Sequence, residues 1–85
     1  MAALVSRTAL DALIDPKFQA ELPEELRDAI KLKVAESTRQ GDYGEIALGS
    51  SAKAVREAAQ RLKAKPRVSK KLAAALPDLA RIPGY

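Results

Sequence analysis

Eight basic side chains lie between residues 53 and 71, and they are the most distinctive chemical feature of the chain. Only one acid, Glu57, interrupts them, so eight positive charges and one negative charge give this segment +7. The eight residues are Lys53, Arg56, Arg61, Lys63, Lys65, Arg67, Lys70 and Lys71. Such a charge attracts phosphate groups or an acidic protein surface. The sequence therefore predicts binding through these side chains to a nucleic acid, with DNA favoured, or to an acidic protein partner; the alternative is that they form an ordinary solvated surface.

Catalytic chemistry has little support in the sequence. The chain contains no cysteine and no histidine, which removes thiolate nucleophiles, zinc sites with sulfur or imidazole ligands, and histidine acid–base catalysis. The acids Glu24, Glu25 and Asp28 cluster at an expected helix start, where carboxylates complement the helix dipole. We therefore expect a non-catalytic protein with no cofactor and no metal site.

Tyr43 is the second candidate for contact with a partner. It lies between Gly41 and Gly44, in the segment of the chain that is richest in glycine. An aromatic ring there can stack on a base or anchor a protein partner. The favoured interpretation is that the ring fills the edge of a small core, with partner contact as the alternative.

Helices must position the basic residues, because apolar residues in this segment recur at three- and four-residue steps. The apolar positions of the first helix are Ala52, Val55, Ala59 and Leu62. The positions on its opposite side are Lys53, Arg56, Gln60 and Lys63. Ser69 is typical of a helix N-cap, which puts Lys70 and Lys71 in the first turn, where the dipole disfavours cations. This second helix start is therefore a candidate anion-binding end.

The predicted fold class is all-α. Helix starts are expected near Thr8, at Asp15-Pro16 and at Pro23, and the third helix is expected to run to about Gln40. We predict one small helical domain over residues 1–81, with four or five short helices and a glycine-rich loop near 41–50. Pro66 should end the first basic helix and Pro77 the second, near Leu76. Residues 82–85 should form an irregular tail.

An alternative fold follows from residues 16–26 and 49–51. The segment Pro16–Leu26 resembles the strand and first-helix start of ribbon-helix-helix repressors, and Gly49–Ser51 resembles the turn before their second helix. The resemblance implies a dimer with a strand at 17–22 that enters the major groove. It implies that Lys17, Gln19 and Glu21 face the bases and that Phe18, Ala20 and Leu22 face the core.

Size and composition suggest self-association. The chain has 85 residues and 17 alanines, so its core is thin, and a homodimer is one way to bury more apolar area. No apolar run approaches the roughly 18 residues needed to span a bilayer, so we expect a cytoplasmic protein without membrane contact. The leading expectation is a small DNA-binding protein with a regulatory or accessory role. The alternative is a small inhibitor or adaptor of the kind that phages and other mobile elements encode.

Overall fold

The computed structural model describes residues 3–65 and 67–83 and contains a three-stranded antiparallel sheet as well as helices. The strands are β1 (Ala3–Ser6), β2 (Thr38–Gln40) and β3 (Tyr43–Ile46). The helices are α1 (Arg7–Leu13), α2 (Pro16–Gln19), α3 (Glu24–Glu36), α4 (Ala52–Lys63) and α5 (Lys70–Ala80). A 3-10 turn at Gly49–Ser51 precedes α4. The fold is mixed α/β, and the prediction of an all-α fold is therefore wrong.

Strand β3 is the centre of the sheet, with β1 on one side and β2 on the other. Gln40 pairs with Tyr43, which leaves a two-residue hairpin loop at Gly41 and Asp42. Gly41 has φ +59°, the positive value that the first loop position of a tight hairpin requires. The glycine-rich segment predicted as a loop therefore contains the central strand.

Glycine at position 44 lets α1 pack closely on the sheet. A Cβ atom on Gly44 would overlap Leu10 Cδ1 and would lie 3.0 Å from the Thr38 carbonyl oxygen. Leu10 is itself buried in the single core that joins the sheet to the helices. The contact between Gly44 and Leu10 thus fixes the distance between the sheet and its first helix.

The third helix ends four residues earlier than predicted. The hydroxyl of Ser37 donates a 2.6 Å hydrogen bond to the Val34 carbonyl, and Ser37 has extended backbone angles. The chain then enters β2, whose three side chains are all exposed. A local cap therefore ends α3. The residues that follow form a strand, although the sequence pattern predicted that they would continue the helix.

The segment proposed as a ribbon strand is helical instead. The Asp15 carboxylate accepts a 2.9 Å hydrogen bond from the Lys17 amide, and Pro16 is the first residue of α2. This start was predicted from Asp15-Pro16 and is confirmed, whereas the strand at 17–22 and the ribbon-helix-helix alternative are wrong. Phe18 is fully buried, but Ala20, expected in the core, is exposed.

Two further boundaries differ from the predicted ones. Helix α1 begins at Arg7, before Thr8, because the Ser6 hydroxyl accepts a 3.1 Å hydrogen bond from the Ala9 amide. Helix α5 continues through Pro77 to Ala80. The proline ring is on the exposed side of the helix, where the carbonyl that loses its donor can be hydrated.

The chain beyond α5 packs partly on the body of the protein, because Ile82 is buried in the core. Pro66, predicted to end a helix, and residues 84 and 85 of the predicted tail lie outside the described residues. Among the helices of residues 3–65 and 67–83, none combines the length and apolar character that crossing a membrane requires.

Candidate nucleic-acid interface

Helices α4 and α5 form an antiparallel hairpin. Arg56 Nη1 in the first half of α4 donates a 2.8 Å hydrogen bond to the carbonyl of Ile82, just beyond α5. The end of α4 and the start of α5 must therefore lie at the opposite end of the hairpin. Five of the eight predicted binding residues fall there, and we call them the basic turn: Lys63, Lys65, Arg67, Lys70 and Lys71.

The outer face of α4 extends the basic surface away from this turn. Its four predicted apolar positions are all buried, and Lys53, Gln60 and Lys63 are exposed on the other side. The amphipathic pattern is therefore confirmed. With a rise of 1.5 Å per residue, the Cα atoms of Lys53 and Lys63 are about 15 Å apart along the axis of α4. Phosphates along one strand of a duplex are spaced by about 3.4 Å of helix axis, so these two lysines are far enough apart to contact different phosphates.

The start of α5 has the predicted geometry. The Ser69 hydroxyl accepts a 3.2 Å hydrogen bond from the Leu72 amide, and Lys70 and Lys71 are the first two residues of the helix. The first turn contains no acid. The lysines therefore add their charge to the positive end of the helix dipole, which raises the local attraction for an anion.

Three of the eight predicted residues are hydrogen-bonded within the protein. Arg56 binds the Ile82 carbonyl as described above. Arg61 Nε lies 3.3 Å from Glu21 Oε1, and Arg61 Nη2 donates to the Glu21 carbonyl. Lys65 Nζ lies 2.5 Å from Glu21 Oε2. The structure therefore does not present all eight side chains equally, since Arg61 and Lys65 also hold the hairpin to Glu21, and Arg56 joins α4 to the segment that follows α5.

Glu21 is the acid that pairs with cations of this region. The hydrogen bond from Lys65, and after it the bond from Arg61, lowers the pKa of the Glu21 carboxyl below its ordinary value of 4.5, while desolvation opposes the shift. Because the folded-state pKa is lowered, the ion pairs stabilise the fold above the ordinary pKa. That stabilisation is lost as the pH falls through the folded-state pKa. Glu21 is therefore ionised at neutral pH and neutralises one positive charge.

The two lysines of α5 differ in their surroundings. Lys71 lines a small cleft together with Asp11, which is in α1, and Asp15, which follows α1. Within the described part of the chain, Lys53, Lys63, Arg67, Lys70 and Lys71 form no ion pair within 4.0 Å and are exposed. Lys70 is not among the residues that line this cleft, so we expect its charge to be more available to a ligand.

Tyr43 lies on a different part of the surface. Its side chain is 59% exposed on the outer face of the sheet, beside Leu4, which is 68% exposed. The expectation that Tyr43 fills the edge of the core is therefore wrong. Tyr43 and Leu4 share a groove with Arg81 and Ile82, at the end of α5 opposite the basic turn. The structure thus separates the two predicted contact sites, and partner contact by Tyr43 stays a prediction.

Sequence reasoning missed the role of Glu21. Its partners Arg61 and Lys65 lie 40 and 44 residues further along the chain, and no local pattern indicates a contact over that separation. Among the described residues, no group of three or more acidic side chains is arranged to hold a metal ion.

Comparison of the chain with protein-family models, curated proteins and solved structures finds no match. The class of protein is therefore defined by the fold and the site alone, as a small α/β domain with a basic helical turn. Any function assigned to it must be argued from its own residues.

Proposed function

We propose that this protein is a non-catalytic nucleic-acid-binding protein with a regulatory or accessory role, and that it contacts the phosphate backbone of DNA through the basic turn and the outer face of α4. The observation that carries the proposal is the convergence of exposed cations from two helices at one end of the hairpin. Phosphate contacts of this kind depend on charge and position more than on base sequence.

Two details support phosphate as the ligand. Lysines at the first turn of a capped helix are unfavourable for an isolated protein, but they are favourable when an anion is bound between them and the backbone N–H groups. Two exposed cations, Lys53 and Lys63, also lie about 15 Å apart along α4, a separation that suits a repeating anion better than a single one. A polyanionic duplex has both properties.

The direct test is fluorescence anisotropy of labelled double-stranded DNA titrated with the purified protein. Multiple phosphate contacts predict binding that weakens by orders of magnitude between about 50 and 200 mM salt. Single-stranded DNA and RNA of equal length are the comparison ligands. Absence of binding to all of them at the lower salt concentration would overturn the proposal.

Glu21→Gln is expected to tighten DNA binding. The substitution keeps the shape of the side chain but removes its charge, which weakens its hold on Lys65 and on the Nε of Arg61 and so favours their contact with phosphate, while Arg61 keeps its bond to the backbone carbonyl of residue 21. The salt dependence, measured as the slope of log K against log salt, should become steeper by about 1 for each added contact. Anisotropy titrations at several salt concentrations measure both quantities.

The matched control for this variant is Glu36→Gln. It changes the net charge by the same amount, but Glu36 is the last residue of α3, at the far end from Glu21. If both variants tighten binding equally, net charge explains the effect, and the ion pairs of Glu21 have no specific role. Because the expected effect is a gain, loss of folding cannot imitate it.

An acidic protein partner is the second candidate ligand, and the surface of α5 favours it. Beside Lys70 the helix exposes the small apolar residues Ala73, Ala74 and Pro77, which a protein surface would cover and a phosphate backbone would not. Ala74→Gln should then weaken the protein complex while leaving DNA affinity unchanged. An unchanged protein complex would argue against this use of α5.

A further inference from the structure

Strand β1 is an edge of the sheet with an unusual composition. Among residues 3–65 and 67–83 it pairs only with β3, so no strand of the described chain lies on its other side. Its residues are Ala3, Leu4, Val5 and Ser6, none of them charged. Exposed edges normally carry charged residues, prolines or bulges that prevent pairing with another chain. Edge β1 lacks these protections among its four residues.

The hydrogen-bond pattern shows which groups of β1 face outward. The Arg7 amide donates to the Asp42 carbonyl at 3.0 Å, and in the same register Val5 pairs with Gly44. Hydrogen-bonded and non-bonded pairs alternate in an antiparallel ladder, so Val5 bonds to β3 and Leu4 does not. The N–H and C=O of Leu4 therefore both point away from the sheet.

The other edge of the sheet is protected. The residue of β2 that faces outward is Arg39, because Gln40 closes the two-residue hairpin and the ladder alternates from there. All three side chains of β2 are polar or charged and exposed. The sheet thus has one edge that resists pairing and one that offers an exposed leucine, 68% accessible, beside its free backbone groups.

The surroundings of β1 fit a second copy of this chain. A groove of about 300 Å³ separates β1 from the end of α5, and its charged residues are one acid and one base, Asp78 and Arg81. Two copies meeting there bring together no cluster of like charges, whereas contact through the basic turns would be repulsive. Asp78 accepts a 3.0 Å hydrogen bond from the Ser6 hydroxyl and narrows the groove at that end. Leu4 is therefore the residue of β1 at which a second strand can reach the edge.

We propose that two copies of this chain associate through antiparallel pairing of their β1 strands, with Leu4 opposite Leu4 across a two-fold axis. The two leucines exchange both backbone hydrogen bonds, as the central residues of a hydrogen-bonded antiparallel pair do. Their side chains, directly opposite on the same face of the sheet, cover each other. The result is a continuous six-stranded sheet whose free edges are the two protected β2 strands.

The test is a pair of proline substitutions at the two edges. Leu4→Pro removes an outward N–H without removing a bond to β3, because proline is tolerated where the N–H of an edge strand faces solvent. The two-fold axis makes this loss occur twice, so the dimer dissociation constant should rise by about tenfold or more. Arg39→Pro likewise removes an outward N–H, at the opposite edge, and should leave the dissociation constant unchanged.

Sedimentation equilibrium from about 10 μM to 1 mM measures the association, a range in which even millimolar affinities become visible. The proposal expects a concentration-dependent monomer–dimer equilibrium for the unmodified chain and for Arg39→Pro. A monomer at every concentration overturns it, and so does equal weakening of the dimer by both prolines. Circular dichroism confirms that each variant is folded before the comparison.

Amide hydrogen exchange tests the same proposal without a substitution. In the dimer the Leu4 amide is hydrogen-bonded, so its exchange should slow as protein concentration rises, while the Val5 amide is protected at every concentration. Exchange of the Leu4 amide that does not depend on concentration across the dimerisation range would place the contact elsewhere and overturn the proposed pairing.

Discussion

Charge reversal of Arg67 and Lys70 to glutamate is expected to lower the affinity for double-stranded DNA by about a hundredfold at about 50 mM salt. Both side chains are exposed and form no ion pair within the described residues. Each lost phosphate contact should also reduce the salt slope by about 1. Anisotropy titrations at several salt concentrations give the affinity and the slope from the same samples.

The control for this experiment is the double variant Lys31→Glu, Arg39→Glu. It changes the net charge of the protein by the same amount, on exposed residues of α3 and β2 that lie outside the basic turn. Nucleic-acid binding at the basic turn predicts a much smaller loss for the control. An equal loss would mean that DNA responds only to the net charge, and a loss confined to the control would move the site to α3 and β2.

The second large effect concerns stability and the contact between Gly44 and Leu10. Gly44→Ala should destabilise the protein by about 1–3 kcal/mol, the usual cost of overpacking a core. Leu10→Ala should cost about 2–5 kcal/mol, because it leaves a cavity. The double variant should cost less than the sum of the two, since truncation of Leu10 provides space for the new methyl group. Urea unfolding followed by circular dichroism measures all three free energies.

Gly41→Ala is the matched control for this comparison. A Cβ atom at position 41 meets nothing within 4 Å, but the residue has φ +59°. Its cost is therefore backbone strain, about 1 kcal/mol, and should simply add to that of Leu10→Ala. If the costs of Gly44→Ala and Leu10→Ala also add in the double variant, the close packing of Gly44 on Leu10 has no energetic consequence.

The helices were predictable where a local cue marks their start or their buried face. Asp15-Pro16 and Ser69 mark helix starts with their own side chains, and the spacing of Val55, Ala59 and Leu62 defines the buried face of α4. These features depend on residues within one or two turns of each other. The periodicity of the sequence reports directly on contacts over such short sequence separations.

The strands were not predictable for the opposite reason. Strand β2 has three residues, all exposed, so it shows no alternation between buried and exposed positions. Strand β1 has four residues, too few to separate a period of 2 from a helical period. Its partner β3 is about 40 residues away in the register Val5 to Gly44. Whether the sheet forms depends on packing between these distant segments, and the pattern of a single sequence contains no signal for such packing.

At the candidate site too, local features were predictable from the sequence and contacts between distant segments were not. The row of cations on α4 and the lysines of α5 follow from local periodicity, and their positions were predicted correctly. The ion pairs of Glu21 with Arg61 and Lys65 join segments that are distant in the sequence. They remove two cations from a list that composition alone treats as equivalent, which is why the sequence overestimated the freely available charge.

The placement of β1 and the basic turn at opposite ends of α5 has a consequence for binding to long nucleic acids. Helix α5 has 11 residues and is therefore about 16 Å long. A dimer joined at β1 would carry two basic turns, each at the end of α5 that is remote from β1. A short duplex would reach one turn, whereas a longer duplex would engage both, and the second contact would form at a high effective concentration. Affinity should then rise abruptly at a threshold duplex length in the unmodified chain, and rise only gradually with length in Leu4→Pro.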